Sequence, residues 1–175
     1  MKIVSIFDGK LFAFLYQGEN MNELKRLLDL WNDNEHLFSF TKQHQKDLPK
    51  NIEIEDLIEL LIDDANIIDE FLIEIGTNKN RTFDEFFKQL DNQEYQLKVL
   101  SRQKGRKNYL RLYALKIDSN CFVITGGAIK FTHLMQERSH TNAELSKLNK
   151  CKEFLRNNNV FDRDSFYEYL KEEDL

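Results

Sequence analysis

The strongest constraint on the fold is a pair of strand-like runs in the second half of the chain. Residues 109–117 and 121–129 are rich in β-branched and aromatic side chains, and Asp118-Ser119-Asn120 between them is typical of a tight turn. A shorter run at 97–100 precedes them and is followed by a Gln-Lys-Gly-Arg-Lys loop. The sequence therefore predicts a three-stranded antiparallel meander.

The first half of the chain predicts a hairpin followed by helices. The runs 3–7 and 11–16 flank Asp8-Gly9-Lys10, and Asp-Gly between two such runs is a strong hairpin signal. Apolar residues then recur three or four apart, which is the helical period. This period predicts helices over residues 22–31, 37–44 and 54–75. Gly76 is placed to end the longest of them.

Capping signals predict the remaining helices. The Thr-x-x-Glu pattern at Thr82 predicts a short helix to about residue 90, and the same pattern at Thr141 opens a helix that ends near residue 157. A last short helix begins near Asp162 or Asp164. The predicted fold class is α+β: one domain of residues 1–175, with the opening hairpin and the meander forming an antiparallel sheet packed with several helices.

Charge is distributed unevenly along the chain. The formal net charge is −5, yet residues 53–74 contain nine acidic side chains and no basic one. Residues 98–138 contain nine basic side chains against two acidic ones, a local balance of +7. A basic segment in an acidic chain indicates a local binding surface for a polyanion.

One strand of the meander carries a candidate RNA surface. Side chains alternate across a strand, so Tyr109, Arg111 and Tyr113 share one face and Leu110 and Leu112 share the other. An exposed Tyr-x-Arg-x-Tyr row suits RNA, because aromatic rings stack on unpaired bases and a guanidinium binds phosphate through two hydrogen bonds. A solvated strand face, or tyrosines packed under a helix, explains the same pattern.

The end of the meander holds further candidate residues. Glycine weakens a strand interior, so Gly126-Gly127 marks either a β-bulge that redirects Lys130 or relief beneath a large side chain. His133, Arg138 and His140 lie in the connection to the next helix. A histidine titrating near neutrality can transfer protons there, although such a residue also serves as an ordinary surface or helix-start residue.

Cysteine and histidine spacing predicts neither a disulfide nor a metal site. Cys121 and Cys151 each lie in an apolar segment and predict two buried thiols. His36 and His44 form no ligand pattern with a carboxylate, so no metal and no cofactor is predicted. No segment approaches about 18 uninterrupted apolar residues, and the N-terminus lacks a signal-peptide pattern. We therefore expect a cytoplasmic protein without a membrane partner.

The order of elements over residues 95–157 resembles the RelE/HigB-like toxins, especially the branch of HigB and related phage proteins. The resemblance lies in Asn-Tyr-Leu-Arg-Leu-Tyr-Ala at 108–114, the following hairpin, and Phe-Val-Ile-Thr-Gly-Gly-Ala-Ile-Lys-Phe-Thr at 122–132 before a helix. It implies a RelE-like core at 95–157, with residues 51–76 as an acidic helical insertion. It also implies a ribosome-associated mRNA endonuclease of a type II toxin-antitoxin system, neutralised by an antitoxin protein.

Cleavage of RNA without a metal needs a base for the 2′-hydroxyl, cations for the phosphate charge and an acid for the leaving oxygen. We predict that Arg111 and Lys130 stabilise the phosphate and that Tyr113 or His133 transfers protons. The residues predicted to bind RNA are Lys98, Arg102, Lys104, Arg106, Lys107, Tyr109 and Arg138. The alternative is a non-catalytic module of a mobile element or defence locus that binds RNA or protein without cutting.

Overall fold

A mixed sheet forms the centre of the computed structural model, which describes residues 1–90, 100–132 and 139–173. Within these residues the six strands are β1 (Lys2–Phe7), β2 (Leu11–Leu15), β3 (Lys88–Gln89), β4 (Ser101–Lys107), β5 (Leu110–Asp118) and β6 (Cys121–Ile129). They lie in the order β1-β2-β6-β5-β4-β3. The α+β class is confirmed.

The prediction of a wholly antiparallel sheet is wrong. β2 pairs with β6 in parallel, with Leu11 opposite Phe122 and Ala13 opposite Ile124, whereas the other neighbouring strands are antiparallel. This pairing joins the opening hairpin and the meander into one sheet. Turn residues between neighbouring runs indicate hairpins, but the pairing of strands about 110 residues apart leaves no local signal.

Helices cover both faces of the sheet. They are α1 (Glu23–Trp31), α2 (Asn34–Gln43), α3 (Ile54–Thr77), α4 (Ser139–Asn157) and α5 (Arg163–Glu173). Leu110, Leu112 and Ala114 of β5 belong to one core with the first three helices, and Tyr113 and Leu115 belong to a second core with the last two. No helix within the described residues is long and apolar enough to cross a membrane.

The acidic helix α3 is part of the first core. Its apolar stripe, including Leu57, Leu61 and Ile68, is buried, which confirms the predicted packing. The helix does not stop at Gly76 as predicted but runs to Thr77. Gly76 lies under the ring of Phe7, which a Cβ atom at that position would strike. Close packing, and not helix termination, therefore accounts for this glycine.

Two capping patterns have different outcomes. Thr82 and Glu85 form the predicted capping box, but it opens only a 3-10 turn at Phe83–Glu85, because β3 follows. Thr141 is buried inside α4, which already includes Ser139, so the predicted helix start at Thr141 is wrong. Asp162 caps α5 as predicted and accepts a hydrogen bond from Ser165 N at 2.8 Å.

The predicted loop at residues 103–107 is wrong, because these residues belong to β4. The chain reverses one step later, at Asn108-Tyr109, where Asn108 has a φ of 46° and β4 pairs directly with β5. Asparagine tolerates this left-handed conformation better than most residues. Of the strand predicted at 97–100, only Leu100 is among the described residues, and it also has a positive φ.

Candidate nucleic-acid interface

Four basic side chains lie on one face of the sheet. Arg102, Lys104 and Arg106 alternate along β4 with side chains that face the first core, and Arg111 of β5 is directly opposite Arg106. Opposite residues of an antiparallel pair point to the same side. We call Arg102, Lys104, Arg106 and Arg111 the basic face, and it lies on the α4 side of the sheet. Arg102 Nη1 donates to Asn149 Oδ1 of α4 at 3.3 Å.

The basic face brings like charges together. Among the described residues, no carboxylate is within ion-pair distance of Lys104, Arg106 or Arg111. Burial, with the charges of Arg111 and Arg106, lowers the pKa of Lys104. Burial also lowers the pKa of Arg111, and Arg106 adds to that effect. Burying neighbouring positive charges away from water is unfavourable, because they repel one another. A bound anion would relieve this repulsion.

Arg111 is connected through Asn108 to the acidic helix α3, which lies on the opposite side of the sheet. Its Nη1 donates to the carbonyl oxygen of Asn108, and to that of Leu110 at 2.9 Å. Asn108 Nδ2 in turn donates to Asp64 Oδ2 of α3 at 2.8 Å, and Asp64 is only 2 % exposed. The contact chain Asp64–Asn108–Arg111 therefore links the acidic helix to the basic face.

The tyrosines do not form the predicted exposed row. Tyr113 is 1 % exposed and packs in the second core under α4, so the alternative of a tyrosine beneath a helix is confirmed for it. Burial raises the pKa of Tyr113 to about 12, which disfavours the predicted proton transfer near neutral pH. Tyr109 lies in the β4–β5 turn, and its ring centroid is 5.2 Å from that of Phe131. It packs against the first core, away from the basic face.

Of the other predicted residues, Lys107 ends β4, Lys130 follows β6, and the rest lie outside the described residues. Lys107 is opposite Leu110, so its side chain lies on the other side of the sheet. Lys130 follows β6, and its backbone N–H donates to Tyr109 O at 2.8 Å. Lys98, His133 and Arg138 lie outside the described residues.

A bulge and close packing both occur at Gly126-Gly127, whereas the redirection of Lys130 stays a prediction. The β5–β6 register shifts between Gly126 and Ile124, which makes a bulge at Thr125. A Cβ atom on Gly127 would lie 2.6 Å from Arg111 O and 3.1 Å from the Trp31 ring, so this glycine also relieves close packing. β2 pairs only with residues 122–124 of β6, and α1 packs against β6 as well.

A cleft of about 180 Å³ opens between α1, α2, α4 and the end of β6. Its polar lining consists of Arg26, His36, His140 and Glu144, and its aromatic lining includes Trp31 and Phe40. Ala128, directly opposite Arg111, also lines it. Because β6 lines the cleft and pairs with β5, the cleft lies beside the basic face.

Glu144 contributes a partly buried carboxylate to this cleft, with a side chain that is 18 % exposed. A Cβ atom on Gly126 would collide with Glu144 Oε2, so the glycine creates the space for the carboxylate. Oε2 is buried and accepts no hydrogen bond within the described residues, although Lys147 Nζ is 3.4 Å away. Burial raises the pKa of Glu144, and the neighbouring Glu23 adds to that effect. Such a carboxylate is a stronger base than an exposed one.

A buried ion cluster fixes α1 against α4 at the cleft. Glu23, 1 % exposed, lies 2.7 Å from Arg26 Nη2 and 2.6 Å from Lys147 Nζ. Lys147 Nζ also lies 4.8 Å from the Tyr16 ring centroid. Both oxygens of Glu23 accept hydrogen bonds from Arg26, whereas within the described residues only Oε1 of Glu144 accepts a hydrogen bond, from Lys147 Nζ at 3.5 Å.

His140 lies in the first turn of α4, where its Nε2 is 2.9 Å from Ile129 O. A carbonyl oxygen only accepts, so Nε2 carries the hydrogen in this contact. Its ring centroid is 5.3 Å from that of Phe40 and 4.6 Å from that of His44. Among the described residues, no group of three or more His, Cys, Asp or Glu side chains could hold a metal ion. Cys121 and Cys151 are buried free thiols, as predicted.

The position of Glu144 in the cleft was not predicted from the sequence, where this residue belongs to a helix-capping pattern at Thr141. A usable signal was its spacing of four from His140, which puts both side chains on one helix face. The chain matches no family model, no curated protein and no solved structure. The RelE/HigB-like resemblance and the function that it implies therefore stay predictions.

Proposed function

We propose that the protein binds single-stranded RNA through the basic face. The observation that carries this proposal is the grouping of Lys104, Arg106 and Arg111 with no carboxylate partner among the described residues. Phosphate oxygens would supply the missing negative charge, and Arg111 offers a planar donor set with a fixed charge. The neighbouring aromatic lining of the cleft favours unpaired bases, which can leave the stack and contact rings.

The test is the fluorescence anisotropy of a labelled, unstructured RNA titrated with protein at several salt concentrations. The double variant Lys104→Ala/Arg106→Ala and the single variant Arg111→Ala should bind more weakly. Each lost phosphate contact should also reduce the slope of log affinity against log salt by about 0.7. Lys107→Ala is the matched control, because it removes an adjacent positive charge from the opposite side of β4.

The control should bind RNA with nearly the affinity of the unmodified protein. If Lys107→Ala weakens binding as much as Arg111→Ala does, the affinity for RNA depends on the net charge of the protein and not on the basic face. If all variants and the unmodified protein fail to bind at low salt, the proposal is wrong.

A second candidate function is RNA cleavage, as in the toxins that the sequence resembles. It is favoured by the lining of the cleft, which includes a carboxylate, an imidazole and Ala128, the residue opposite Arg111. On this proposal residues 95–157 are a RelE-like core with the insertion 51–76. The protein acts in the cytoplasm on ribosome-bound mRNA, and an antitoxin protein neutralises it.

Cleavage is tested by expressing the unmodified chain beside Arg111→Ala and Lys130→Ala and mapping mRNA 5′-ends. New ends that require both side chains support the toxin function. RNA binding without new ends, with ribosomes present, supports the non-catalytic binding module instead.

A further inference from the structure

We propose that Glu144 is the catalytic base of an RNA-cleaving site in the cleft beside the basic face, an inference that rests on the proposed RNA binding. The substrate class is single-stranded RNA with a 2′-hydroxyl at the cleaved position. Glu144 would take the proton of that hydroxyl while Arg111 holds the adjoining phosphate.

The register of β5 and β6 places the two groups on the same face of the sheet. Glu144 lies over Gly126, the partner of Tyr113, whereas Arg111 is the partner of Ala128. Gly126 and Ala128 are two residues apart on one face of β6, a separation of about 7 Å. A phosphate on Arg111 and the sugar attached to it can therefore reach both the basic face and the cleft.

Glu144 is better placed as a base than its neighbour Glu23. The Glu23 carboxylate is fixed by Arg26 and Lys147, whereas Glu144 Oε2 accepts no hydrogen bond from the described residues. Burial raises the pKa of Glu144, which makes its carboxylate a stronger base than an exposed one. Lys147 remains near enough to stabilise the ionised form.

The reaction is an internal transesterification. The 2′-oxygen gives its proton to Glu144 and forms a bond to phosphorus, and the bond from phosphorus to the 5′-oxygen breaks. The 5′-oxygen then takes a proton from water, and the resulting hydroxide removes the proton from Glu144. The products are a 2′,3′-cyclic phosphate and a 5′-hydroxyl, so no oxidant, reductant or other reactant is consumed.

Several ionisable groups face Glu144 and will shape its titration. They are Glu23 and Arg26 from α1, Tyr16 directly after β2, Tyr113 from β5, and His140, Lys147 and Cys151 from α4. The pH dependence must therefore be compared between variants, so that a change can be assigned to Glu144.

The experiment compares the unmodified protein with Glu144→Gln in single-turnover cleavage of a labelled RNA, with and without ribosomes, across pH. Binding is measured separately on the same sequence with 2′-O-methyl groups, which cannot react. Glu153→Gln, an exposed change of the same type on α4, is the control. Glu144→Gln should lower the cleavage rate at least about 100-fold, remove the acidic limb of the pH profile and leave affinity unchanged.

The outcomes separate this inference from the proposed function. Failure of the unmodified protein to bind the methylated RNA removes the RNA-binding function and the inference with it. Binding without cleavage in either condition overturns the inference alone, as does a Glu144→Gln variant that cleaves at the unmodified rate. If Glu144→Gln does not fold, Glu144→Asp shortens the side chain and should slow cleavage without weakening binding, and an unchanged rate overturns the inference.

Discussion

The contact chain Asp64–Asn108–Arg111 predicts that the acidic helix stabilises the turn beside the basic face. Asp64→Ala removes the buried acceptor of a 2.8 Å hydrogen bond from Asn108. A hydrogen bond to a charged group contributes about 1.5–3 kcal/mol, so we expect the free energy of unfolding to fall by about 2 kcal/mol. For a chain of this size that corresponds to a melting temperature lower by about 4–8 °C.

A double-mutant cycle in urea isolates the contact. The cycle combines Asp64→Ala with Asn108→Gly, because Asn108 has a φ of 46° and glycine tolerates that conformation. The interaction free energy should be about 1–2 kcal/mol. A value below about 0.5 kcal/mol, which is the scatter expected of independent sites, would refute the contact.

The same cycle has a functional readout. If Asn108 positions Arg111 through its carbonyl oxygen, Asp64→Ala should weaken RNA binding in the unmodified background. It should have no further effect in an Arg111→Ala background, because the side chain to be positioned is gone. Equal losses of affinity in both backgrounds would show that Asp64 contributes through overall stability alone.

Two further predictions concern the cores. Leu61→Asp places an unpaired charge in the buried stripe of α3 and should lower the free energy of unfolding by several kcal/mol, whereas Ile67→Asp, at a site 45 % exposed, should change it little. An unchanged melting temperature for Leu61→Asp would show that the packing of α3 does not stabilise the rest of the fold. Tyr113→Phe should preserve RNA affinity and any cleavage, because the hydroxyl is buried and its pKa is about 12; loss of cleavage from a folded variant would restore the predicted role of Tyr113.

Local sequence signals predicted the elements that depend on neighbouring residues. The stripe that includes Leu24, Leu27 and Trp31 defines α1, and Asn22 caps it by accepting a hydrogen bond from Lys25 N. The two hairpins follow from their turns for the same reason. These structures depend on residues that are close together in the chain, so local sequence patterns are sufficient to predict them.

Long-range packing decided the features that sequence patterns missed. The β2–β6 pairing closes the sheet between distant strands, and Gly76 is explained only by the ring of Phe7 that lies on it. The pattern at Thr141 and Glu144 matches a capping box, yet the glutamate faces Gly126 of β6. In each case the sequence pattern indicates a local role, whereas the residue in the structure packs or pairs with a residue far away in the chain.

The sheet separates the two charged regions that the sequence revealed. The carboxylates of α3 are mostly exposed above the first core, whereas the basic face lies on the side of the second core. The acidic helix therefore cannot neutralise the basic face through direct ion pairs, and Asp64 reaches it only through Asn108. If the protein binds RNA as proposed, the carboxylates of α3 would repel this polyanion and the basic face would attract it, even though the formal net charge of the chain is −5.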